Sequence, residues 1–258
     1  MIGRRKFIGL SLLSLLSACT ALSFGSEDSS TITLTISAAS SLQDAIQEIG
    51  NLYSQQNPNI RLTYNFGSSG SLRHQIEQGA PVDVYISAAK QHMDALENKN
   101  FLLDNTRQNL LKNEVVLITA HNNSDLDGFS HLKSDFVNKI AIGAPDSVPA
   151  GKYAKEVLDS LKLYQPLESK LVFAKNVRQV LAYVETGNVE AGIVYSTDAQ
   201  VSDQVKIVAT APRDSHSPIV YPIAIAQDSK HPEAAQYFIQ FILSNAAQNV
   251  LTEYGFKK

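Results

Sequence analysis

One cysteine, Cys19, is all that the 258 residues carry, so no disulfide can form within the chain. Basic runs are equally scarce. Lysine and arginine total 22 against 25 acidic residues, a formal net charge of −3, and a mildly acidic chain without a basic run is a poor partner for nucleic acid. The six histidines, His74, His92, His121, His131, His216 and His231, never stand four apart and have no cysteine beside them, so scattered surface histidine is the expectation rather than a metal centre. Nucleotide motifs are absent too. There is no G-x-G-x-x-G, and Gly151-Lys152 ends what would be a phosphate loop with Asp146 in place of its first glycine and Tyr153 in place of its magnesium-binding hydroxyl. Gly67-Ser68-Ser69-Gly70-Ser71 falls one glycine short of a nucleophile elbow. Asn123-x-Asp125-x-Asp127-Gly128 opens like a calcium loop, but Ser134 replaces the bidentate glutamate, and a polar turn is the reading.

What is present begins with an export signal. Arg4-Arg5-Lys6 precede an apolar stretch from Phe7 to Leu16 and then small residues, a pattern too short and wrongly flanked for a membrane span. Leu16-Ser17-Ala18-Cys19 resembles the bacterial lipoprotein cleavage box, which predicts removal of 1–18 and lipid attachment at Cys19. The paired arginines leave general and twin-arginine export both open. Loss of those three positive charges brings the exported chain to about −6. Serine-rich 19–30, with Glu27 and Asp28, reads as a flexible tether. The expectation is an exported protein, periplasmic or at the outer face of the cytoplasmic membrane, held there by lipid.

From Thr31 strands alternate with helices. "TITLTISAA", "IRLTYNF" and "VDVYISAA" read as strands, with helices after Ser41, after the Gly67–Ser71 stretch and near 90–98. "NEVVLITA" is a long apolar strand. A second set follows: "KIAIGAP", a helix opened by Pro149, "KLVFA", a helix capped by Asn176, then "EAGIVYS", "VKIVAT" and "IVYPIAIA". Pro232 starts a C-terminal helix that breaks near Ser244. The fold class is α/β, with mainly parallel sheets in two lobes and a cleft between them. The boundaries expected are 31–114 and 223–258 for lobe 1 and 115–222 for lobe 2.

Each strand-to-helix junction facing that cleft carries small or capping residues: Ser40-Ser41, Ser68-Ser69-Gly70, Ser147-Val148-Pro149-Ala150 and Lys175-Asn176-Val177. Helix starts gather at the carboxyl ends of parallel strands. They offer unpaired N–H groups and a positive dipole end, which suits an anion without any lysine. Capping alone accounts for any one such junction; the recurrence on both lobes points to a ligand.

The stretches "ISAASSLQDAIQEI", "FGSSGSLRHQIEQGAPVDVYISA", "VPAGKYAKEVL", "NVRQVLAYVETG", "GIVYSTDA" and the closing "YGF" resemble the molybdate-binding proteins of bacterial ABC importers, from about Thr31 to Phe256. The resemblance implies a two-lobed periplasmic-binding-protein fold of type II. It implies a non-enzyme that binds molybdate or tungstate through neutral donors, needs no cofactor and delivers its ligand to a membrane permease. By position it implies Ser41 and Ser69 as hydroxyl donors, Ala150 and Val177 as backbone donors, and Tyr195 as a phenolic donor from the far lobe. Ser40, where the family often has alanine, and Ser68 are additional candidates. The same architecture serves binding proteins for sulfate, thiosulfate or organic acids. An exported hydrolase using Ser69 or Ser41 and an effector-sensing module are the readings of other classes. A monomer is the default expectation.

Overall fold

The computed structural model describes residues 31–123 and 125–258; the signal 1–18, Cys19 and the tether 19–30 lie outside the described residues. The first set is β1 (Ile32–Ala39), α1 (Gln43–Gln56), β2 (Ile60–Gly67), α2 (Ser69–Glu77), β3 (Val84–Ile86) and α3 (Lys90–Glu97). In β1, alternation gives way to continuous burial from Ile36 onward, as a strand covered on both faces requires. Leu34 and Ile36 are wholly buried, each stabilising the fold by about 1.5–3 kcal/mol relative to exposure. β4 (Gln108–Lys112), not singled out in the sequence, precedes β5 (Val115–Ala120).

The second set is β6 (Ile140–Gly143), α4 (Pro149–Ser160), α5 (Tyr164–Leu167), β7 (Leu171–Ala174), α6 (Val177–Glu185), β8 (Ala191–Tyr195), α7 (Ser196–Gln200) and β9 (Val205–Thr210). β10 (Val220–Ile225), α8 (Pro232–Leu243) and α9 (Asn245–Glu253) complete the chain.

Two five-stranded sheets result, in the orders β2-β1-β3-β10-β4 and β7-β6-β8-β5-β9. They share one plan. In the first, β1 runs parallel to β2 and β3, while β10 runs antiparallel to β3 and β4. In the second, β6 runs parallel to β7 and β8, while β5 runs antiparallel to β8 and β9. Each sheet is therefore mixed: its alternating βα units supply the parallel half, and strands next to the crossovers supply the antiparallel half.

The chain passes to the second sheet at Asn113-Glu114 and returns between Thr210 and Val220. The return precedes the boundary expected at 222/223, because Val220, Tyr221 and Pro222 already pair with Lys112, Leu111 and Asn109 of the first sheet. The pairing slips between Tyr221 and Pro222, and such an irregularity is where a strand tolerates a residue without an N–H. The terminal helices come home to the first lobe. Phe238 and Phe241 of α8 meet Tyr53 of α1 with ring centroids 5.1 and 5.2 Å apart, and Tyr254 donates to Glu48 at 2.9 Å. In the stretch read as a polar turn, the Asp125 N–H donates to the Asn123 side chain at 3.0 Å.

Candidate functional site

The carboxyl ends of β1, β2, β6, β7 and β8 converge on one small cavity between the sheets, with a volume of about 10 Å³. Ser40, Ser41, Ser68, Ser69, Ala150, Val177 and Tyr195 all border it, and among the described residues no charged side chain does. That volume is on the order of a single water-sized sphere, so it suits only a very compact ligand. A larger depression lies at the amino ends of β1 and β3, around Thr33, Thr35 and Asp83. Its Asp83 carboxylate is already engaged, accepting from the Thr35 N–H at 2.8 Å and the Ser229 hydroxyl at 2.6 Å.

Local chemistry decides what each junction offers the cavity. After β1 the chain makes one 3-10 turn, Ser40–Leu42, before α1, and neither start has a side-chain cap. Ser41 is thus not the helix cap that the sequence suggested. Its hydroxyl is free for another partner and lies 2.9 Å from the Tyr221 hydroxyl. At the next junction the two serines divide the work. Ser68 caps α2, accepting from the Ser71 N–H at 3.2 Å, which satisfies an otherwise orphan donor. Ser69, fully buried, accepts the Ala88 N–H at 2.9 Å, leaving its own proton to be donated. Its carbonyl is pinned by the Tyr85 hydroxyl at 2.7 Å.

On the second lobe the groups beside the cavity include backbone N–H groups. Ala150 and Val177 occupy the first turns of α4 and α6, where an N–H has no carbonyl of its own helix to bond. Pro149 starts α4 and Asn176 caps α6, accepting from the Gln179 N–H at 2.9 Å. The start of α4 sits directly on the end of β6: a β-carbon at Gly151 would lie 1.9 Å from the Gly143 carbonyl oxygen, so only glycine lets Ala150 reach this position.

Tyr195 closes the far wall. Its ring is buried, and its hydroxyl has no partner that meets hydrogen-bond geometry among the described residues, although the Tyr221 hydroxyl lies near enough to influence its ionisation. Burial, then the neighbouring Tyr221, Tyr153 and Asp198, hold the phenol well above its ordinary pKa, so it stays a protonated donor at neutral pH.

Sequence reasoning missed the groups behind these donors. Asn113, at the first crossover, accepts from the Glu114 N–H at 2.9 Å through its side-chain oxygen. Its amide N–H groups therefore face Thr197 at 2.9 Å and Tyr221 at 3.2 Å. Tyr221 thus accepts from Asn113 and shares a hydrogen bond with Ser41 in which either hydroxyl can donate. Asp198 was missed as well. It is fully buried, pairs with Arg178 at 2.9 Å, and burial raises its pKa to about 6 against the opposing pull of Arg178. A polar residue between two apolar strands at a crossover was the available signal for Asn113; no local pattern marked Tyr221.

The family described as bacterial extracellular solute-binding protein matches residues 34–257. The chain is 44% identical over 96% of its length, and 95% of the relative's, to YvgL of Bacillus subtilis, provisionally named an ABC transporter substrate-binding lipoprotein. It is 39% identical to the molybdate-binding protein ModA of Haemophilus influenzae, covering 86% of this chain and 89% of that one. Among solved structures, the periplasmic molybdate-binding protein of Azotobacter vinelandii shares the fold with a TM-score of 0.80 at 23% identity, over 87% of this chain and 99% of that one. A two-sheet fold, a charge-free cavity of donors between the sheets and these relationships lead to one placement: the chain belongs to the bacterial extracellular solute-binding proteins, in the group that contains the molybdate-binding proteins.

Proposed function

We propose that the protein captures molybdate outside the cytoplasm and delivers it to the permease of an ABC importer, binding tungstate in the same way. In this reading Ser41, Ser69 and Tyr195 donate from hydroxyls and Ala150 and Val177 from backbone N–H groups, with Ser40 and Ser68 at the edge of the shell. The observation that carries it is the Tyr195 hydroxyl, buried beside the cavity with no partner meeting hydrogen-bond geometry among the described residues. A buried polar group without a partner is costly, and a ligand oxygen would supply the missing acceptor.

A fully deprotonated tetrahedral oxyanion presents acceptors alone, which matches a shell of donors. Sulfate matches in charge and shape but is smaller, so cavity size must exclude it. A hydrolase is the poorer reading: among the described residues the Ser41 and Ser69 hydroxyls are engaged with Tyr221 and the Ala88 N–H, not with the general base that would activate a serine nucleophile. The reading takes the protein as a monomer without cofactor, anchored by lipid at Cys19. Among the described residues no helix is long and apolar enough to cross a membrane. Calorimetric titration with molybdate, tungstate, sulfate and phosphate tests the assignment. Tight binding of the first two alone is expected, and preference for sulfate or phosphate would overturn it.

A further inference from the structure

Two direct contacts between the lobes flank the cavity, and each stands beside a facing pair of candidate donors. On one side the Gly70 N–H of α2 donates to the Ser147 carbonyl at 2.9 Å. Gly70 follows Ser69 in the chain, and Ser147 lies three residues before Ala150. The approach is close enough to require glycine: a β-carbon at position 70 would lie 2.5 Å from the Ser147 carbonyl oxygen and 2.8 Å from its α-carbon. Neither is a flexible side-chain atom that could swing aside.

On the other side Arg178 of α6 reaches across to Asp44 of α1 at 2.5 Å while pairing with the buried Asp198 of its own lobe at 2.9 Å. Arg178 follows Val177, and Asp44 lies three residues after Ser41. The Arg178 side chain is itself mostly buried and its Asp198 partner wholly so. The guanidinium is thus held beside its own lobe's carboxylate as an ion pair, while its hydrogen bond crosses to Asp44.

We propose that Gly70 and the Arg178–Asp44 pair are positioning elements of the closed form, the first registering Ala150 against Ser69 and the second registering Val177 against Ser41. The inference rests on reading the cavity as a molybdate site. Closure brings together donors from both lobes around one ion, and a donor misplaced by an ångström contributes little. The two contacts set that register without touching the ligand. They also form only when the lobes meet, so they belong to the liganded equilibrium and not to the stability of either lobe.

The test uses Gly70→Ala, Asp44→Asn and Asp44→Glu beside the wild type. Molybdate affinity is measured by calorimetry, dissociation by stopped-flow displacement, and the ligand-free unfolding midpoint by circular dichroism. Asp44 is chosen over Arg178 because removing the arginine would strand the buried Asp198. Asp44→Asn is expected to weaken binding about threefold to tenfold through faster dissociation, as befits a partly exposed ion pair, with Asp44→Glu recovering most of the loss. Gly70→Ala is expected to weaken it at least about tenfold. Its ligand-free midpoint should stay level or rise, because alanine favours a helix more than glycine does. Opposite signs for ligand-free stability and affinity are what a purely structural role would not produce. Wild-type affinity in both Gly70→Ala and Asp44→Asn, or losses matched by a lower ligand-free midpoint, would overturn the inference alone. A wild type that fails to bind molybdate would overturn the proposed function as well.

Discussion

Replacing Tyr195 with phenylalanine removes one oxygen from a wall of the cavity and alters nothing else in the ring. The hydroxyl is buried and has no hydrogen-bond partner of acceptable geometry among the described residues, so the ligand-free fold should lose no stability. Binding should lose a hydrogen bond to a charged group, worth about 1.5–3 kcal/mol, which is a factor of roughly 10 to 150 in affinity. The two measurements therefore move differently. Chemical denaturation without ligand should give wild-type stability or slightly more, and calorimetry with molybdate should give the weaker affinity. The stabilisation that saturating molybdate confers should shrink by the same amount, since ligand stabilisation follows affinity by mass action. Unchanged affinity would remove Tyr195 from the site. A fall in ligand-free stability would show that the hydroxyl has a protein partner after all.

Salt should matter little: with neutral buried donors around the ion, molybdate affinity measured from low to moderate ionic strength should change by no more than a few-fold, and a steep fall would indicate an exposed basic site instead. Acid should destabilise the fold through His92, which is buried, has an unpartnered Nδ1, and has its pKa lowered to about 4 by burial and by the charges of Arg73, His74 and Lys152. The unfolded chain takes up that proton below its ordinary pKa while the folded chain refuses it until about 4, so this stability is present at neutral pH and lost as pH falls through that window. From about pH 7 to about pH 5 the loss is roughly 2 kcal/mol. His92→Asn should remove it in urea titrations at the two pH values. Asp198, whose raised pKa works in the opposite direction over the same range, is common to both proteins and cancels in the difference, and equal losses in wild type and variant would refute the assignment.

The parallel half of each sheet was legible because its signals are local. β-branched runs mark β1 and β2, Pro149 and Pro232 mark helix starts, and Asn176 marks a cap that the structure uses as such. β4 was not legible: "QNLLK" has only two apolar residues, and it becomes a strand by pairing with β10, more than a hundred residues away. The same holds at the cavity. Serines before helices announced an anion-friendly rim, but capping and ligand donation look alike in sequence. Only the contacts separate Ser68, committed to the Ser71 N–H, from Ser69, whose proton is left over. Tyr221 and Asn113 were invisible because their importance lies in long-range contacts: Tyr221 faces Ser41 from 180 positions away, and Asn113 faces Tyr221 from 108.

The buried Asp198 bears on why an uncharged shell can hold a doubly negative ion. It lies three residues after Tyr195, close enough to influence that phenol's ionisation, and a free carboxylate there would repel an anion in the cavity. Burial raises its pKa only to about 6, which leaves it ionised at neutral pH, so the offset comes from the Arg178 guanidinium standing against it at 2.9 Å. Arg178 in turn shares its charge with Asp44 when the lobes meet, so the cluster behind the wall adds little net positive field to the site. The attraction must then come from the starts of α2, α4 and α6 and from the hydroxyls that border the cavity. A field of fixed donors distinguishes ions by where their oxygens fall and by whether they carry a proton, whereas a free arginine in the cavity would attract any anion of sufficient charge. Leaving the cationic side chain outside the cavity, engaged with two carboxylates, is therefore part of how this site discriminates.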